Sequence, residues 1–138
     1  MKLINTLITI LFISLLSSPS WSVTFDDLVE RNDLYYEKFT DVPFTGKVTG
    51  NPQGSYKNGK EEGVWVWYYK SGQLGSKENF KNGKKEGAFF YNWENGQLQS
   101  KGNYKNGKRE GKWVGYNTDG TVWKEWTGTY TDGLKISD

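Results

Sequence analysis

Apolar side chains along this chain come in short runs, each closed by a polar turn, and the order of runs and turns recurs every 24 residues. One copy reads Tyr56-Lys-Asn-Gly-Lys-Glu-Glu-Gly63-Val-Trp65 and then Ser71-Gly72-Gln-Leu74. The second reads Phe80-Lys-Asn-Gly-Lys-Lys-Glu-Gly87-Ala-Phe89 and Asn95-Gly96-Gln-Leu98, and the third Tyr104-Lys-Asn-Gly-Lys-Arg-Glu-Gly111-Lys-Trp113 and Asp119-Gly120-Thr-Val122. A worn fourth copy, Gly128-Thr-Tyr130-Thr-Asp132-Gly133, arrives two residues late, as a terminal cap does.

Two turn signals alternate within each copy. Asn58-Gly59, Asn82-Gly83 and Asn106-Gly107 suit the positive φ angles of a type I′ hairpin turn, and Gly72, Gly96 and Gly120 mark the turns between them. The runs between turns, such as Val64 to Tyr69 and Gln73 to Phe80, are aromatic or β-branched and too often cut by glycine for helices. The pattern predicts an all-β fold, an elongated antiparallel meander of β-hairpin repeats with two strands per copy. Equivalent residues then fall about 10 Å apart along the sheet and form columns: Trp65, Phe89 and Trp113; Tyr56, Phe80, Tyr104 and Tyr130; Leu74, Leu98 and Val122. These columns are the expected core. Because an isolated hairpin is marginal in water, no single copy is expected to fold alone.

Three segments organise the chain: a leader over residues 1–22, a β capping segment over 23–53, and the hairpin repeats with their degenerate C-terminal cap over 54–138. In the capping segment Leu34-Tyr-Tyr36 and Phe44 to Val48 read as short strands, and Phe25 to Val29 as a strand or one helical turn. Trp123 and Trp126 supply bulk at the other end.

The strand Val64 to Tyr69 has no polar face. Alternation puts Trp65, Trp67 and Tyr69 on one side, and Val66 and Tyr68 on the other. If the Trp65 column marks the buried side, Val66, Tyr68, Phe90, Val114 and Tyr116 form an apolar strip on the opposite face, the candidate partner-binding surface. A bulge or strong twist that tucks the same side chains into one core is the alternative.

Lys2, the apolar run Leu3 to Leu16 and the small-residue site Ser20-Trp-Ser22 have the three parts of a secretory signal peptide, cleaved after Ser22. The expected location is the bacterial periplasm or the extracellular space. Removing Lys2 leaves 17 basic side chains against 16 acidic ones, too even a balance for the basic footprint of nucleic-acid binding. With no histidine and no cysteine, imidazole catalysis, Ser-His and Cys-His nucleophiles and nitrogen or sulfur metal ligation are absent. Glu62, Glu86 and Glu110 recur beside lysines and read as a surface ladder rather than a catalytic carboxylate pair. No catalytic residue, metal site or cofactor is expected.

Gly63-Val-Trp65, Asn82-Gly-Lys-Lys-Glu-Gly87 and Asn95-Gly96-Gln-Leu98 resemble the MORN-variant repeats, a group that includes the YwqK-type antitoxins. The resemblance covers residues 54–133, and Leu34 to Val48 looks like the N-terminal module of many members. It implies a non-catalytic hairpin-repeat protein that acts through contacts with proteins or membrane lipid. With an export signal, the antitoxin role becomes that of an immunity-like protein of the envelope. Two activities therefore stand: a protein-binding module, or a cell-surface module holding a lipid headgroup, a choline-like group or a glycan between aromatic side chains.

Overall fold

A computed structural model of the chain describes residues 22–138; the signal-peptide expectation lies outside the described residues, apart from Ser22. The strands are β1 Val23–Thr24, β2 Leu28–Arg31, β3 Leu34–Glu37, β4 Gly46–Thr49, β5 Gln53–Lys57, β6 Lys60–Tyr68, β7 Leu74–Lys81, β8 Lys84–Lys85, β9 Gly87–Asn92, β10 Leu98–Lys105, β11 Lys108–Gly115, β12 Gly128–Thr131 and β13 Leu134–Ser137. One 11-stranded sheet runs in the order β1-β4-β5-β6-β7-β9-β10-β11-β12-β13, with β8 also on β7, and β2-β3 form a separate hairpin. From β4 onward the pairing is antiparallel between sequence neighbours, the expected meander. Only β1 departs, lying parallel to β4 at the first edge. Phe25–Asp27 is a single 3-10 turn.

The Asn-Gly turns have positive φ at both central residues, as in Asn82 (52°) and Gly83 (78°), which is the type I′ geometry that matches strand twist. Gly63, Gly87 and Gly111 are not at hairpin turns. Gly63 and Gly111 sit where β6 and β11 bulge opposite Gly54 and Gly102, and Gly87 follows the break between β8 and β9; their φ values of 74°, 71° and 89° are costly for other residues.

Those bulges swing the core tryptophans over the neighbouring strand. A Cβ on Gly54 would land within the Trp65 indole, and one on Gly102 within that of Trp113. Trp65 is 8 % exposed and Trp113 1 %. The middle copy differs: Glu78 takes the glycine's place in the repeat and the smaller Phe89 takes the tryptophan's, where it stays half-buried. Tyr56 and Tyr130 are buried, while Phe80 and Tyr104 are half-buried. The rings meet mostly edge to face, Tyr56 to Trp65 at 5.0 Å and Tyr104 to Trp113 at 5.0 Å between centroids. The third expected core column does not belong to this core. Leu74 pairs with Tyr68, Leu98 with Asn92 and Val122 with Tyr116, which puts the column on the opposite face, where Val122 is 51 % exposed. For Leu74 and Leu98 the cause is one extra residue on the strand after the first two Gly-marked turns, Gly75 and Gln99, which shifts the strand's phase.

Copies are also stitched together at the turns. The amide of Asn82 donates to Glu62 Oε2 (2.8 Å), that of Asn106 to Glu86 Oε2 (2.7 Å) and that of Asp132 to Glu110 Oε2 (3.1 Å). The next amide in each turn, of Gly83, Gly107 and Gly133, donates to the carbonyl of residue 61, 85 or 109 at 2.9–3.0 Å. The glutamates are therefore not a free surface ladder; each carboxylate is tied to the following copy. In the cap Thr45 Oγ1 and the Phe44 carbonyl do the same for Asn58 and Gly59. At the far side, Tyr69 donates to the Asn92 carbonyl and Trp93 Nε1 to that of Tyr116, one copy on in each case. Loss of hydration, then the Tyr91 hydroxyl, pushes the Tyr69 phenol up to about 12.

The exchange of Gly-Trp for Glu-Phe in the middle copy makes a double-mutant test. Phe89→Trp alone should overpack and cost roughly 1–3 kcal/mol, whereas Phe89→Trp with Glu78→Gly restores the arrangement of the other copies. The expected non-additivity in denaturant titrations is about 1 kcal/mol or more in favour of the pair; additive losses would refute the packing account.

Burial, then the Glu61 carboxylate, raises the Tyr56 phenol above the ordinary tyrosine value of 10.0. An acid whose folded pKa is raised keeps its full contribution below the unfolded pKa and loses it as the pH climbs beyond. The urea midpoint should thus fall above pH 10, and fall less steeply in Tyr56→Phe.

Candidate functional site

The sheet has two chemically distinct faces. On the ring face lie the aromatic core and the charged side chains Glu61, Glu78, Lys85 and Arg109, register partners of Tyr56, Trp65, Phe80 and Tyr104. Lys85 and Arg109 occupy the same position one copy apart. Lys85 Nζ lies 5.1 Å from the Phe89 centroid and 5.3 Å from that of Tyr104, and it pairs with Glu78 at 2.7 Å. Arg109 lies 5.0 Å over Trp113, 3.3 Å over Trp126 and 5.2 Å over Tyr130. Each cation thus bridges the core ring of its own copy to the tyrosine of the next.

On the other face, residues paired directly across the strands build a row: Gln53, Val66, Lys77, Phe90, Lys101, Val114. Apolar and cationic side chains alternate at about 4.8 Å. Val66, Phe90 and Val114 are half-buried, while Lys77 and Lys101 stand exposed. Two shallow hollows flank the row, about 290 Å³ beside Val64 and Val66 and about 510 Å³ beside Phe90 and Val114. They lie behind Gly54 and Gly102, where the bulged tryptophans have withdrawn to the ring face. Tyr68 and Tyr116 continue the strip toward the Gly-marked turns, next to Leu74 and Val122. The five residues of the expected strip are therefore all on one face, and Leu74, Leu98 and Val122 join them.

Net charge conceals how charge is distributed. Residues 22–44 carry Asp26, Asp27, Glu30, Asp33, Glu37 and Asp41 against only Arg31 and Lys38, whereas residues 45–118 carry 13 basic side chains against 6 acidic ones. Parity places ten of those basic groups on the same face as the apolar row. Lys57, Lys60, Lys81, Lys84, Lys105 and Lys108 flank the Asn-Gly turns, and Lys47, Lys77, Lys101 and Lys112 surround the row. Along the strands that carry the row its carboxylates are Glu62, Glu86 and Glu110, already bonded to backbone amides, and at the C-terminal end Asp132 lies 3.9 Å from Lys108. The near-neutral composition hid this lysine face because the compensating acids sit in the caps. The strand parity of each lysine was the signal that could have revealed it.

Among the described residues no three His, Cys, Asp or Glu side chains converge as for a metal ion. The arrangement offers binding surface and electrostatic attraction, with no nucleophile-base pair in evidence among these groups.

The sequence model of the MORN repeat variant matches twice, at residues 61–82 and 85–106. MORN repeats are in general protein- or membrane-binding modules and not enzymes. No curated protein and no solved structure matches the chain. Each matched segment starts just after one Asn-Gly turn, crosses the Gly-marked turn and ends in the next Asn-Gly turn, so what is similar to the MORN repeat variant is one strand pair of the meander.

Proposed function

We propose that this chain is an exported, non-catalytic repeat scaffold whose lysine face binds an acidic protein partner, in the manner of an envelope immunity-like protein related to the YwqK-type antitoxins. The leader over residues 1–22 directs it to the periplasm or beyond, and the chain after Ser22 is the working protein. One observation carries the reading: Val66, Phe90 and Val114 are half-buried between exposed lysines, and the glutamates Glu62, Glu86 and Glu110 that share their face are already bonded to backbone amides. Recessed apolar positions accept side chains from a partner, and the lysine field speeds its approach and sets its orientation.

The second reading is contact with an anionic membrane, which the number of lysines favours. Against it stands the recession of the apolar row, since membrane-surface elements bury protruding apolar groups among the lipids.

A photoreactive phenylalanine analogue at position 90, expressed in the native cell, separates the two. A discrete polypeptide adduct is expected, reduced at least tenfold by Lys77→Glu with Lys101→Glu and by high salt. Adducts to lipid alone, or a polypeptide adduct indifferent to both lysines, would reject the assignment.

A further inference from the structure

The ring face holds a second feature independent of the lysine face. Position 61, 85 or 109 recurs in each copy, next to the core ring at 65, 89 or 113 and the following copy's ring at 80, 104 or 130. Two copies put a cation there, Lys85 and Arg109, and both lie over those rings. The first copy puts Glu61 there instead. The rings remain: Trp65 and Phe80 have centroids 6.4 Å apart at 72°, and Tyr56 meets Trp65 at 5.0 Å. Between them opens a hollow of about 240 Å³, lined by Tyr56, Glu61, Trp65, Trp67, Glu78 and Phe80 among others.

The carboxylates differ in their partners. Glu78 is matched by Lys85, whereas Glu61, half-buried, has no basic nitrogen within 4.0 Å and no hydrogen-bond donor to its carboxylate among the described residues. A half-buried carboxylate ringed by aromatic faces is the complement of a bulky, weakly hydrated cation. The hollow is smaller than the usual drug-sized pocket and suits a headgroup. We infer that the first copy's aromatic hollow binds an organic cation, an alkylammonium group, with Glu61 as its counter-ion and Trp65, Tyr56 and Phe80 as its walls. The same sequence position then serves two ends. Built-in cations tie copy two to three and copy three to four, and a carboxylate opens copy one to an external cation.

The ammonium has two sources, a free quaternary amine or the lysine side chain of another polypeptide. Titrating the purified protein with choline chloride and, separately, with Nα-acetyl-lysine methylamide, against sodium chloride of equal ionic strength, should shift tryptophan emission and the Trp65 indole NMR signal saturably for at least one of them. Tighter choline binding identifies a free amine, tighter lysine binding a partner's side chain. Glu61→Gln should weaken the binding at least tenfold, and Glu61→Arg, which reproduces the third copy, should abolish it while holding or raising the melting temperature. Glu94→Gln, at an exposed turn, should leave it unchanged. No saturable shift with either cation, or wild-type binding by a folded Glu61→Arg variant, would overturn the inference. Neither result bears on the lysine face, which lies on the other side of the sheet.

Discussion

Each repeat hairpin from Asn82 onward is held by the copy before it, through two backbone amides at the tip of its turn. A turn with positive φ at both central residues points those amides away from its own hairpin, where they would be left to water. Here the first amide meets a carboxylate and the second a carbonyl of the preceding copy. Hydrogen bonds to charged groups contribute about 1.5–3 kcal/mol, comparable to burying one core side chain. The hairpin is marginal alone, so this contact converts a row of weak units into one sheet. It also explains why the turn residues and the glutamate recur together: the turn supplies the donors and the preceding copy the acceptors.

The same repeat length has an electrostatic consequence. Because two strands make one copy and each strand's parity is reproduced 24 residues on, a side chain on one face in one copy stays on that face in all of them. Repeating a lysine at positions 57, 81 and 105 therefore concentrates charge instead of dispersing it. Neighbours about 10 Å apart stand near one Debye length at physiological salt, so any one pair repels weakly while the face as a whole attracts. Acids gather in the segments where the repeat has lapsed, and the net charge returns to near zero without neutralising the lysines.

The turns, the strand count and the two aromatic columns at 56 and 65 were legible in the sequence, because Asn-Gly and large rings in fixed phase have few other meanings. The glycines at 63, 87 and 111 were not, since a bulge and a turn ask for the same residue. Nor does the pattern display why Trp65 sits over Gly54, where the glycine clears space for an indole. Leu74 and Leu98 lie on the face opposite the expected one for a related reason, as one extra residue inverts the parity of everything beyond it. The strip at Val66, Tyr68, Phe90, Val114 and Tyr116 was traced by alternation alone and the structure keeps all five on one side, with lysines between that alternation within a single strand cannot display. The ties made by Glu62, Glu86 and Glu110 span about 20 residues, beyond the reach of any local pattern.

The late fourth copy shows what the insertion achieves. Position 67 is tryptophan in the first copy and tyrosine in the second, and these rings stack at 6.1 Å. The third copy has Gly115 at that position, and the chain, two residues longer before its next strand, folds Trp126 back so that its ring fills the space a Gly115 side chain would take. Trp126 stacks on Trp123 at 5.3 Å and lies under Arg109, closing the aromatic column from the end. The final strand, β13, then has no ring to cover. Leu134 and Ile136 stand 72 % and 64 % exposed on it, while Lys135 between them folds back to pair with Asp138 at 2.6 Å and donates to the Lys124 carbonyl at 2.8 Å. The core thus ends one strand before the sheet does, and the two ends differ in kind: at the N-terminal end a docked hairpin and the carboxylate Glu61 leave an aromatic hollow, while at the other a tryptophan and an arginine fill it.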